Sequence, residues 1–72
     1  MGTMARLINL MLVERKMSKK DLAAKLGTSQ SNLSGKLSRD NFSEKELQEI
    51  AQACNATFVG TFVFNDTGKE IK

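Results

Sequence analysis

The sequence predicts a mainly α-helical domain in which four short helices precede a C-terminal β-hairpin. Apolar residues recur at helical spacing in four segments before residue 55, separated by residues that favour helix starts or ends. After Ala56 the residue types alternate with period two, as in a β-strand. No linker, repeat or low-complexity stretch interrupts the 72 residues, so a single domain over residues 1–72 is expected. The predicted helices cover about 4–16, 18–26, 29–38 and 43–54, and the predicted strands about 57–64 and 69–72.

The first predicted helix is more apolar than a helix with one buried face needs to be. Its inward stripe consists of Leu7, Ile8 and Met11, which the aliphatic stem of Arg15 can join. Leu10, Leu12 and Val13 lie around the rest of the helical wheel. The helix therefore either meets other elements on two sides or leaves an apolar patch exposed.

The next two helices are short and follow each other closely. Ser18 can cap the first of them, with Asp21 as the return acid of a capping box. Gly27 can adopt a positive φ and end that helix, and Thr28 and Ser29 offer a new cap at once. The inward stripe of the following helix consists of Leu33 and Leu37. This arrangement is a helix-turn-helix.

The remaining elements have equally local signals. Ser43 and Glu46 repeat the capping box, and the inward stripe of the helix that follows consists of Leu47, Ile50, Ala51 and Cys54. Residues 57–64 alternate as one strand, the segment 65–68 has turn composition, and 69–72 forms a short returning strand.

Composition excludes several kinds of site. A single cysteine and no histidine allow neither an internal disulfide nor a Cys/His zinc site, so no metal site is expected. The usual pairs of nucleophile and base are missing as well, so we expect no enzyme and no cofactor. No apolar run is long enough to cross a membrane, and a cytoplasmic protein is expected.

The charge is unevenly distributed. Residues up to Asn41 carry a formal charge of +5, and residues from Phe42 onward carry −2. A basic half that contains the helix pair suits a polyanion, although surface Lys and Arg are also ordinary solvated residues.

The helix pair resembles the lambda-repressor and Cro-like (XRE-type) helix-turn-helix family. The residues that carry the resemblance are Leu22-Ala23, Leu26-Gly27, Ser29-Gln30-Ser31, Leu33 and Leu37, and the helix pattern extends from about Ile8 to Cys54. The resemblance implies sequence-specific binding of double-stranded DNA by a small transcriptional regulator, with repression as the default role. No small-molecule effector is evident.

Two groups of side chains are expected to contact DNA. The expected base-reading residues are Gln30, Ser31, Asn32 and Lys36. With Leu33 and Leu37 inward, Ser31 and Asn32 point away from the core, and Gln30 projects from the leading end of the helix. The expected phosphate-binding residues lie at or near the two ends of the third helix and at the start of the second. They are Lys19, Lys20, Ser29, Ser38 and Arg39. Gly35 is unfavourable within a helix, so either the backbone there approaches a partner closely or that helix is weak.

A homodimer is expected to form through the C-terminal strand. The strand 57–64 is longer than the segment left to pair with it, which leaves an open apolar edge. The expected interface consists of Phe58, Val59, Gly60, Thr61 and Phe62. Two copies related by a two-fold axis would bind a pseudo-palindromic site. Two alternatives remain open: a monomer whose hairpin folds back onto the helices, and a protein-interaction module such as an antitoxin-like partner of another protein.

Overall fold

The computed structural model describes residues 3–71 of the chain. The helices are α1 (Thr3–Arg15), α2 (Lys19–Leu26), α3 (Gln30–Arg39) and α4 (Glu44–Ala53), and the strands are β1 (Ala56–Phe58) and β2 (Phe62–Phe64). The predicted fold class, a mainly α-helical domain with a C-terminal β-hairpin, is confirmed. Within residues 3–71, no helix is long and apolar enough to cross a bilayer.

Both predicted capping boxes are present. The amide of Asp21 donates to Ser18 Oγ over 3.0 Å, and the amide of Ser18 donates to Asp21 Oδ2 over 3.1 Å. Ser43 and Glu46 make the same two bonds at the start of α4, at 3.1 and 2.9 Å. Each box satisfies helical amides that would otherwise lack a partner, so these starts are encoded within three residues of sequence.

One apolar core joins the helices to the hairpin. The largest fully buried side chains are Phe62, Ile8, Met11, Leu22 and Leu33. In α1, Leu12 is also buried, whereas Leu10 and Val13 are 38% and 75% exposed. The sequence left two alternatives for α1, and this pair forms the exposed apolar patch. Cys54 is buried, and desolvation raises the pKa of its thiol, which fits a core residue and not a nucleophile.

The predicted continuous strand over residues 57–64 is wrong. The chain reverses within it, and β1 pairs with β2 in antiparallel register, with Ala56 opposite Phe64 and Phe58 opposite Phe62. Gly60 lies in the connection at φ +85°, a conformation that glycine adopts without strain. The amide of Val59 donates to the carbonyl of Thr61 over 2.9 Å and closes the reversal.

The predicted returning segment lies along β2. After the turn at residues 65–68, the amide of Phe64 donates to the carbonyl of Lys69, and the amide of Ile71 donates to the carbonyl of Phe62, both over 2.9 Å. Val63 and Glu70 form the bridge between these bonds. The turn and the pairing of residues 69–71 are thus confirmed, while residue 72 of the predicted strand lies outside the described residues.

Arg15 ties the end of α1 to the hairpin. Its guanidinium donates to Cys54 O over 2.9 Å, to Asn55 O over 3.0 Å, and to both carboxylate oxygens of Asp66 over 2.7 and 3.0 Å. The same group lies 3.8 Å from the ring centre of Phe64. The hydrogen bonds from Arg15 lower the pKa of the Asp66 carboxyl to about 2.

Asp40 connects the end of α3 to the start of α1. Its backbone ends α3 in the left-handed conformation, at φ +51°. Its Oδ1 atom accepts a 2.7 Å hydrogen bond from the amide of Ala5, in the first turn of α1. One aspartate therefore closes α3 and caps α1.

Candidate nucleic-acid interface

A tight turn sets the position of α3 relative to α2. Gly27 ends α2 at φ +73°, and its amide donates to the carbonyls of the last turn, Ala23 and Ala24. The amide of Thr28 also donates to Ala23 O, over 3.0 Å. Ser29 then caps α3 by accepting the amide of Asn32 over 3.1 Å. Only three residues separate the two helices, so the turn fixes the position of α3 against α2 and the core.

The leucines of α3 fix which of its faces is exposed. Leu33 and Leu37 are buried against the other helices. Gln30, Ser31 and Asn32 are exposed at the amino-terminal end of the helix, as the sequence predicts. Short polar side chains on an exposed helix start are suited to hydrogen-bonding the edges of bases.

Asn32 is only partly free to bind a ligand. Its Nδ2 atom donates to Thr28 Oγ1 over 3.3 Å, across one turn. This contact orients the side-chain amide and leaves its carbonyl oxygen available to accept a hydrogen bond. The structure thus holds Asn32 in place at the start of α3.

Lys36 differs from the other predicted base readers because it has a partner in the protein. Its ammonium group forms an ion pair with Glu46 in the first turn of α4, and the two side chains are 40% and 31% exposed. Thr28, Asn32, Lys36 and Glu46 line one hollow between the helices. The sequence did not indicate this pair, since the partners lie on different helices.

The predicted phosphate-binding residues occupy two places. Lys19 and Lys20 are exposed in the first turn of α2, and Ser38 and Arg39 are exposed in the last turn of α3. Ser29 is the cap of α3, and its hydroxyl oxygen is occupied as an acceptor while its proton remains available to donate. All five side chains are therefore accessible to a ligand in the folded protein.

Arg39 has an unusual position on α3. A Cβ atom placed on Gly35 would lie 3.3 Å from Arg39 Nη1 and 3.7 Å from Nη2, so the guanidinium lies against the bare backbone at Gly35. The helix continues through Gly35 without a break. This contact joins residues four apart, which lie on the same face of a helix.

The residues expected at a dimer interface are only partly exposed. Val59 is 69% exposed, and Gly60 lies beside it at the tip of the hairpin. Phe58 and Thr61 are half-buried, and Thr61 donates its hydroxyl to Ile71 O. Phe62 is fully buried and packs in a tilted arrangement against Phe58, with the ring centroids 5.2 Å apart. The side chain of Phe62 therefore cannot contact a second folded copy, and the continuous strand that was expected to leave an open edge is not formed.

Comparison with known proteins agrees with this geometry. The family model of the Cro/C1-type HTH DNA-binding domain matches residues 6–61. This range contains all four helices from Arg6 onward and the start of the hairpin. No curated protein and no solved structure matches the chain.

Proposed function

The chain belongs to the Cro/C1-type helix-turn-helix DNA-binding family. We propose that it recognises a specific double-stranded DNA sequence and thereby regulates transcription. We also propose that it is not an enzyme. The observation that supports this best is the exposed polar start of α3, which follows the tight turn at Gly27. In a helix-turn-helix, that part of the second helix enters the major groove. Residues 1–72 would act as one domain.

Base reading is proposed for Gln30, Ser31 and Asn32, with Lys36 joining them once it leaves Glu46. Gln and Asn side chains can each make two hydrogen bonds with adenine N6 and N7. Asn32 keeps its carbonyl oxygen free, while one donor is held by Thr28. We therefore expect adenine in each half-site.

Phosphate binding is proposed for Lys19, Lys20, Ser29, Ser38 and Arg39. Lys19 and Lys20 lie in the first turn of a helix, where the dipole favours an anion and disfavours their own charge. Such charges gain more from binding DNA than they contribute to folding. Their contacts would make affinity fall with salt, by about one unit of log–log slope for each phosphate neutralised.

The first experiment is the selection of bound duplexes from a random library, followed by titration of the selected duplex at two salt concentrations. Asn32→Ala should change the base preference, and Asn9→Ala, at an exposed position on α1, is the matched control. Lys19→Ala should weaken binding to all duplexes and reduce the salt slope, compared with Lys45→Ala in the first turn of α4. If the protein selects no sequence, or if affinity is independent of salt, the proposal is wrong.

We also propose that the protein binds as a homodimer and that it represses transcription in the cytoplasm, the latter by analogy with its family. The exposed Val59 at the hairpin tip supports a contact between copies there. Sedimentation at micromolar concentration tests this, because the chain mass is 8.0 kDa and a dimer has twice that mass. Val59→Asp should dissociate the dimer. If the parent protein sediments as a monomer, or if Val59→Asp remains a dimer, the hairpin is not an interface.

A further inference from the structure

Gly35 lies on the side of α3 opposite its buried leucines and is half-buried there. Successive helical residues are rotated by about 100°, so with Leu33 and Leu37 inward, residue 35 points almost directly away from the core. This is the position from which a side chain would reach furthest into a groove. Gly35 provides no side chain there, which leaves a gap in the middle of the proposed reading surface.

The guanidinium of Arg39 occupies that gap. Its Nη1, Nη2 and Cζ atoms lie 3.3, 3.7 and 3.9 Å from the point where a Cβ atom of residue 35 would be. Helical side chains point back toward the amino terminus, so the long arginine stem brings its charge one turn closer to the start of α3. The start of the helix is the part that contacts bases in this motif.

Arg39 is also free to bind. It is exposed, and within residues 3–71 its guanidinium makes no hydrogen bond and no ion pair. Arg15 on α1, by contrast, uses its guanidinium in four hydrogen bonds inside the protein. Arg39 therefore presents five unused N–H donors in a planar fork.

We propose that Arg39 reads a guanine in each half-site, and that Gly35 positions it by leaving room for its guanidinium on the outer face of α3. The fork of an arginine matches the O6 and N7 acceptors of guanine in the major groove, and this pair is the commonest specific contact between a protein and DNA. The assignment rests on the proposed function and replaces the role of Arg39 as a phosphate contact. It adds a guanine to the adenine expected from Gln30 and Asn32.

Arg39→Lys is the decisive variant, because it keeps the charge and removes the fork. If Arg39 reads guanine, selection with Arg39→Lys should lose the guanine preference at one position of each half-site. Affinity for the parent site should fall about tenfold or more, with an unchanged salt slope. Arg6→Lys, at an exposed position on α1, is the control and should leave both quantities unchanged.

Gly35→Ala tests the positioning role separately. Its Cβ atom would lie 3.3 Å from Arg39 Nη1, so the guanidinium must shift by a few tenths of an ångström, and the same guanine preference should weaken although Arg39 is intact. Alanine favours a helix, so thermal unfolding should show that this variant folds at least as well as the parent protein. If Arg39→Lys retains every base preference of the parent site, the assignment is overturned. If the parent protein selects no duplex, the proposed function fails as well.

Discussion

Replacing Arg15 by alanine should destabilise the fold by about 2–3 kcal/mol. The guanidinium bonds to Cys54 O and Asn55 O, which lie just past the end of α4, contribute about 1 kcal/mol each after allowance for partial exposure. The ion pair with Asp66 adds little to this, because the side chains are 21% and 48% exposed and solvent screens the charges. Stacking over Phe64 adds about 0.5–1 kcal/mol. The expected loss is less than the sum, because the contacts share one group.

Thermal unfolding followed by far-ultraviolet circular dichroism measures this loss. For a domain of this size, about 2–3 kcal/mol corresponds to a Tm decrease of roughly 10–20 °C. Arg6→Ala is the matched control, because it removes the same charge from an exposed position on the same helix. Arg15→Lys should fall between the two, since one ammonium group cannot make all of these bonds. Equal Tm values for Arg15→Ala and Arg6→Ala would refute the conclusion that Arg15 ties α1 to the hairpin.

Three further outcomes are expected. Because the pKa of Asp66 is lowered to about 2 in the folded protein, stability should decrease as the pH falls from about 4 toward 2, and acid titration of Asp66→Asn should show a smaller decrease. Glu46→Gln keeps an oxygen for the capping box but removes the ion pair of Lys36, so its affinity for a non-specific duplex should rise more than that of the control Glu44→Gln. Equal affinities of the two variants would contradict this. Gly60→Ala places a side chain at φ +85° and should cost about 1–2 kcal/mol in urea unfolding, whereas no change would show that the turn can rearrange.

The helix ends were predictable because their signals are local. Ser18, Ser43 and Gly27 act through hydrogen bonds that span three to five residues, and the sequence alone displays these spacings. The tight turn before α3 and the exposure of Ser31 and Asn32 follow from the same kind of signal. This is why the start of the proposed reading helix could be located without a structure.

The hairpin was not predictable from alternation. In its register, residues on either side of Gly60 pair at equal distances, with Phe58 opposite Phe62 and Thr57 opposite Val63. Paired residues therefore share the same parity in the sequence, and the period-two pattern passes through the turn unbroken. Only Gly60 indicated a possible reversal, and a lone glycine in a strand pattern also fits a bulge or a close backbone approach.

The side-chain partners of the site were only partly accessible to sequence reasoning. The pair of Lys36 with Glu46 and the bonds from Arg15 to Asp66 depend on how separate elements pack, so no spacing in the chain displays them. The contact between Arg39 and Gly35 is different, because it lies within one helical turn. It could have been inferred from the four-residue spacing and the missing side chain.

Because Asp40 both ends α3 and caps α1, one backbone amide of α1 reports whether the end of α3 is folded. The amide of Ala5 is protected by a side chain 35 residues away, which stays in place only while the last turn of α3 is formed. Its exchange with deuterium should therefore follow local opening of that turn. Since Arg39 directly precedes Asp40, binding of DNA to α3 should slow exchange at Ala5, which lies on a different helix. The exchange rate of a single amide in the first turn of α1 would then report whether the last turn of α3 is formed.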